Sequence, residues 1–176
     1  VASAGGELIL RDVDYEAVSS TAYCLRNCGV GIELIGEKDL LVKSDKNLKA
    51  IEVVRTTPYP GFPTDMQPQF VAVLSKATGT SVVIETVFEN RYSYVEQLMR
   101  MGADITVRER VAVVKGVKRL TSAYMEACDL RGGAALVVAA LSAEGTSTIN
   151  NVIHIDRGYD RLEEKLLSVG AKIKRE

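Results

Sequence analysis

The sequence predicts an α/β fold built as a pseudo-threefold repeat of strand-helix-strand-helix-strand-strand, with buried inner helices and a truncated first repeat. Three observations carry that reading. Gly6 and Gly29 recur with the spacing of Gly79 and Gly102, and Gly145 and Gly170 repeat the pair at a slightly longer interval. Between the glycines of each pair the order is constant: a β-rich run, a polar loop with an aromatic, then an amphipathic helix that closes on the second glycine. Finally, the apolar run ahead of Gly79 and that ahead of Gly145 lack the polar face a surface helix would show.

The first repeat covers about residues 1–46. It opens with a strand over Glu7–Arg11, passes a loop at Tyr15, and ends in a helix, Gly29 and a final strand over Asp39–Lys43. Aligned on its glycines, Val1 corresponds to Leu74, so the leading strand and most of the inner helix have no counterpart here. There is no initiator Met, and we expect a fragment of a longer chain with an apolar face uncovered. The second repeat, about 50–116, begins with the stiff loop Pro58-Tyr-Pro-Gly-Phe-Pro63. Thr64 or Asp65 then stands where a helix N-cap belongs, ahead of Phe70–Leu74. A strand over Ser81–Thr86, a loop with Phe88, a helix on Val95, Leu98 and Met99, Gly102, and a strand over Val111–Lys115 complete it. The third repeat, about 117–176, has an inner helix over Gly132–Ala143 that is apolar all round apart from Ser142. After it come a strand over Thr146–Val152, a loop with Tyr159, a helix on Leu162 and Leu166, and a strand after Gly170. We expect the inner helices to pack together and gather their N-terminal loops at one end, the 176 residues forming one domain.

Composition narrows the function classes. The apolar fraction of 47% suffices for a core, and a net charge of −1 gives no reason to expect nucleic acid or an anionic membrane surface. The inner-helix run is shorter than the ~20 apolar residues a membrane span needs. The three cysteines, Cys24, Cys28 and Cys128, form no paired motif, so neither a disulfide framework nor a metal is indicated and no cofactor is expected. Cys24 and Cys28, one helical turn apart, read as packing residues in a reducing, cytoplasmic setting.

The candidate chemistry lies at the inner-helix ends. Asp65 is a carboxylate on a stiffened loop; it reads either as a helix cap or as a positioned proton-transfer group. Asp129-Leu-Arg131-Gly-Gly133 combines a cap, a planar cationic donor fork and two glycines that open a helix N-terminus to an anion. The other reading of that segment is a surface Asp129–Arg131 ion pair. Arg157, beside a glycine and a helix start, supplies a second arginine; nearby His154 reads as a structural loop residue.

Four ordered motifs then carry a resemblance over essentially the whole chain: Phe62-Pro-Thr-Asp-Met-Gln67, Glu85-Thr-Val-Phe-Glu-Asn-Arg91, Asp129-Leu-Arg131 and His154-Ile-Asp-Arg-Gly-Tyr159. They are similar to the C-terminal half of the UDP-N-acetylglucosamine enolpyruvyltransferases. The resemblance implies an enolpyruvate transferase-like, inside-out α/β barrel, in a cytoplasmic enzyme of peptidoglycan synthesis, cell-wall biogenesis, cell shape and cell division. It also implies two domains closing over UDP-N-acetylglucosamine and phosphoenolpyruvate. Carried over by motif, Asp65 handles proton transfer, Arg131 and Arg157 engage the phosphoenolpyruvate anion, and Val87 and Phe88 lie against the sugar nucleotide with Arg91 beside them. Thr64 and Asp129 join them on the substrate side. The other domain's lysine–asparagine pair and reactive-cysteine loop have no counterpart here, and Cys128 does not stand in that loop motif. Activity would therefore need the N-terminal domain of a longer parent chain. Two other readings are the shikimate-pathway enolpyruvyl transferase, disfavoured by Phe62–Gln67, and a noncatalytic relative kept as a binding or regulatory module.

Overall fold

A computed structural model describes residues 1–176. The first strand, β1 (Gly6–Leu10), leads into helix α1 (Tyr15–Asn27), whose start is fixed by Asp14: its carboxylate accepts from the amides of Glu16 and Ala17. Tyr15 is thus the first helical residue, not a loop residue, because the cap lies one position earlier than its aromatic neighbour suggested. Strands β2 (Gly31–Ile35) and β3 (Asp39–Ser44) follow, and β1-β3-β2 form an antiparallel sheet.

The second set of elements is β4 (Val53–Arg55), a short helical turn at Thr64–Met66, α2 (Gln67–Leu74), β5 (Thr80–Ile84), α3 (Val95–Arg100), β6 (Asp104–Arg108) and β7 (Val111–Lys115). Its sheet runs β4-β5-β7-β6, with β4 parallel to β5 and the remaining pairs antiparallel. Without β4 this is the order of the first sheet, so the spacing of glycines does reflect a shared topology. The third set is β8 (Tyr124–Glu126), α4 (Leu130–Ala140), β9 (Thr148–Asn150), α5 (Ile153–Asp156) and α6 (Leu162–Ser168), with β8 parallel to β9. Two β-helix-β units, β4-α2-β5 and β8-α4-β9, therefore each enclose one apolar helix.

Those two helices form the centre. Every residue of α2 except Gln69 is buried, as are Gly132–Val137 and Ala139 of α4, and the pair pack on each other. Small side chains allow the approach. A Cβ on Gly133 would lie 2.6 Å from Ile155 Cγ1, so only glycine lets α5 seat against α4. Around this centre the core gathers Leu74, Leu98, Met101, Leu120, Met125 and Leu136, all at most 1% exposed.

Gly29, Gly102 and Gly170 each close a helix with positive φ, 94°, 88° and 89°, the left-handed geometry that suits a residue without Cβ. After Gly29 and Gly102 a strand follows, but residues 171–176 form none. β2 and β6 are each held by a hairpin with the next strand, β3 and β7, whereas residues 171–176 pair with no strand. An apolar groove of about 300 Å³ lies beside α2, lined by Leu8, Leu10, Val42, Met66, Phe70 and Val73 among others. No helix is long and apolar enough to cross a membrane. The cysteines are unpaired: Cys28 is buried, Cys24 half-buried and Cys128 exposed. Burial, with Cys24 adding to it, pushes the Cys28 thiol up to about 12, as expected of a packing residue.

Candidate active site

The site forms where the turn before α2, the turn after β5 and the start of α4 meet. β5 brings Glu85 to its end, and that carboxylate folds back on its own turn: Oε1 accepts the amides of Val87 and Phe88, both at 2.9 Å. The turn leaves Val87 and Phe88 about half exposed and directs Arg91 inward, where its residue is 7% exposed. The Arg91 guanidinium stacks over the Phe88 ring, 4.2 Å from its centroid, a favourable cation–π geometry. Its Nε donates to Thr64 Oγ1 at 3.1 Å and its Nη2 to Asp65 Oδ1 at 3.1 Å.

Asp65 is held from the other side by α4. Arg131 Nη2 donates to Asp65 Oδ2 at 2.6 Å, and its Nη1 donates to the Tyr159 hydroxyl at 3.0 Å. The same hydroxyl accepts from Gln69 Nε2 at 2.9 Å, tying the loop after α5 to both inner helices. One carboxylate thus lies between two guanidinium groups, and further N–H donors of those groups are not used within the site. The Arg131 hydrogen bond holds the Asp65 carboxyl below the usual carboxylate range, with partial burial acting in the opposite sense. Desolvation is the largest single influence on Arg131 and disfavours its charge, but its bonds to Asp65 and Tyr159 together raise its pKa on balance. An electropositive corner with an ionised carboxylate at its centre suits an anionic ligand whose protons must be moved.

Several expectations change. Asp65 caps nothing: the residue at the N-cap of the helical turn is Pro63, that of α2 is Met66, and the Asp65 oxygens go to arginines. Asp129 is a cap, accepting from the Gly132 amide at 2.7 Å and from Ser93 Oγ at 2.8 Å, and it forms no ion pair with Arg131. The α4 N-terminus is not an open anion cradle. Gly132 N–H already serves Asp129, and a Cβ at Gly132 would meet Tyr94 Cβ at 2.9 Å, so the glycines admit protein instead of ligand. Arg157 stands at the C-cap of α5, not at a helix start, and is exposed; the arginines that converge on Asp65 are Arg91 and Arg131. Thr64, Val87 and Phe88 line the same corner. His154 lies on α5 and makes none of the side-chain bonds of the site. The roles of Glu85, Thr56 and Tyr159 went unread, although a glutamate closing an apolar β-run is itself a signal.

The fold and this corner together define a class. The chain belongs to the EPSP synthase (3-phosphoshikimate 1-carboxyvinyltransferase) family, whose profile matches residues 1–166. Within that class it is similar to enzymes named UDP-N-acetylglucosamine 1-carboxyvinyltransferase. It is 51% identical over 175 residues to the first such enzyme of Caldanaerobacter subterraneus subsp. tengcongensis, covering 99% of this chain and 41% of the relative. It is 49% identical over 171 residues to that of Zymomonas mobilis subsp. mobilis, covering 97% and 40%. The chain thus spans about two fifths of the length of the curated relatives it matches. Among solved structures, the enolpyruvyl transferase NikO from Streptomyces tendae superposes with a TM-score of 0.86 at 26% identity, over 98% of this chain and 42% of that one. EPSP synthase from Acinetobacter baumannii superposes with a TM-score of 0.75 at 19% identity, covering 99% of this chain and 41% of that one, a likeness of fold alone.

Proposed function

We propose that this chain forms part of a cytoplasmic enzyme that moves the enolpyruvyl group of phosphoenolpyruvate to the 3′-hydroxyl of UDP-N-acetylglucosamine. That reaction commits the sugar nucleotide to peptidoglycan synthesis, and so to cell-wall growth, cell shape and division. The observation that carries the reading is the convergence of Asp65, Arg91 and Arg131 from three of the four motifs on one corner. The kinship with the named carboxyvinyltransferases, up to 56% identical, supports the sugar nucleotide over shikimate phosphate as acceptor.

In the reaction the sugar hydroxyl gives up its proton as its oxygen bonds to C2 of phosphoenolpyruvate, and the methylene carbon takes a proton. A proton then leaves that carbon and phosphate departs from C2, restoring the double bond in an enolpyruvyl ether. Asp65 is the proton-handling group. While Arg131 holds its oxygen it is a weak base; an incoming phosphate or carboxylate competes for the same guanidinium, loosens the pair and returns basicity to Asp65. Arg131 and Arg157 receive the phosphoenolpyruvate anion. Thr64, Val87, Phe88, Arg91 and Asp129 shape the acceptor side, with the remaining domain of the parent chain closing the cleft.

The test is a chimera in which residues 1–176 replace the matching segment of the Caldanaerobacter relative. We expect release of inorganic phosphate from phosphoenolpyruvate that depends on UDP-N-acetylglucosamine. A folded chimera that binds both substrates without turnover would point instead to a noncatalytic module.

A further inference from the structure

Glu85 is 1% exposed, yet none of the chemistry above uses it. Its two oxygens meet four donors, all neutral: Thr56 Oγ1 at 2.8 Å and the amides of Val87 and Phe88 at 2.9 Å on Oε1, and Thr64 Oγ1 at 3.0 Å on Oε2. The directions of both hydroxyls are set by their other contacts. Thr56 Oγ1 accepts from the Thr86 amide at 2.8 Å, so its proton goes to Glu85. Thr64 Oγ1 accepts from Arg91 Nε at 3.1 Å, so its proton also goes to Glu85. A one-way relay results, from Arg91 through Thr64 to Glu85, while the other end of Arg91 grips Asp65.

Burying a carboxylate without a cationic partner is costly, and a neutral side chain can hold a turn. Resting on the functional reading given above, we propose that Glu85 is a positioning residue whose buried acceptor-only carboxylate fixes the Thr64–Arg91–Asp65 arm and the Val87–Phe88 turn in one geometry. Glutamine in its place has a single acceptor oxygen. That oxygen serves the three donors at Oε1, which turns an NH₂ group toward Thr64, already an acceptor from Arg91. The Thr64 proton loses its partner, the Arg91 plane is released, and Asp65 is no longer aimed, while the Val87–Phe88 turn stays bonded.

In the chimera, Glu85→Gln should lower kcat about ten- to hundredfold, the range of one charge-assisted hydrogen bond, and change KM for UDP-N-acetylglucosamine by a smaller factor, because the Val87–Phe88 turn stays bonded. Thr64→Val should give a similar loss, Thr64→Ser a smaller one, and the combined Glu85→Gln, Thr64→Val variant no more than the larger single loss, because both break the same relay. Multiplying losses, or a kcat for Glu85→Gln equal to that of the parent chimera, would overturn the proposal. If Glu85→Gln fails to fold, the Thr64 pair decides: equal turnover of Thr64→Val and Thr64→Ser overturns it. An inactive parent chimera would refute the functional reading alone, because the geometry can be followed in residues 1–176 themselves. In ¹⁵N-labelled chain, Thr64→Val should shift the Arg91 Nε–H resonance and leave the Val87 and Phe88 amides in place. An unmoved Arg91 signal would sink the relay.

Discussion

Asp65 sits between two guanidinium groups, and its ionisation is the property of the site most open to measurement. Its folded-state pKa lies below the ordinary carboxylate value of about 3.9. The contacts it makes therefore contribute stability above about pH 4 that is lost as the pH falls through the depressed folded value. Arg131→Ala removes the largest cause of that depression. The Asp65 side-chain carboxyl resonance should then titrate at higher pH than in the parent, and an unchanged midpoint would show that the Arg131 contact is not formed in solution. In the chimera, Asp65→Asn should cost turnover the ~10²–10⁴ expected of lost general acid–base catalysis, and any fall in Tm should come from the weakened pairs with Arg91 and Arg131, because Asp65 caps no helix. A variant keeping more than about a tenth of parental turnover falls outside that range and would remove Asp65 from the chemistry. Arg131→Ala and Arg157→Ala should raise KM for phosphoenolpyruvate far more than for the sugar nucleotide, and equal changes would refute that division. Asp65 and Arg131 were legible in the sequence because a proline-stiffened loop and a capped helix start mark them locally. The Arg91–Asp65 pair was not, since it joins residues 26 positions apart that only the folded chain brings together.

Among the elements, α4 shows how small residues do the work of fit. Gly133→Ala places a methyl carbon 2.6 Å from Ile155 and should cost about 1–3 kcal/mol by overpacking, read as a lower Tm. Gly102→Ala strains a left-handed residue instead, with open space around its Cβ, and should cost about 1–2 kcal/mol. If both variants melt with the parent, the helix ends and the α4–α5 contact are looser than drawn here. The helices and their closing glycines could be read from periodicity and from glycine's tolerance of positive φ. The start of α1 was misplaced because Tyr15 drew attention from the capping Asp14, and the strand after Gly170 was overcalled because a strand exists only where another pairs with it.

For the molecule as a whole, the share of its relatives that the chain spans, about two fifths, sets the expectation. Residues 1–176 alone should show no enolpyruvyl transfer, since they match only 41% and 40% of two carboxyvinyltransferases and the proposed reaction takes place in a cleft between two domains. Phosphate release dependent on UDP-N-acetylglucosamine from highly purified chain would refute this. The repeated sheet order β1-β3-β2 and β5-β7-β6 was foreshadowed by glycine spacing, whereas the parallel pairing of β8 with β9 was not, because strands of 3 residues are too short to show an alternation.

The unequal settings of the three thiols offer a handle on this chain. Cys28 is sealed in the core with its thiol held at about 12, and burial also raises that of half-buried Cys24, so neither supplies much thiolate near neutral pH. Cys128 is open to solvent, directly before Asp129 and three residues from Arg131. A maleimide dye added at neutral pH should therefore settle on one position without any engineered mutation. Its emission would then report anions arriving at the arginine corner, turning a residue outside the chemistry into a built-in sensor of occupancy.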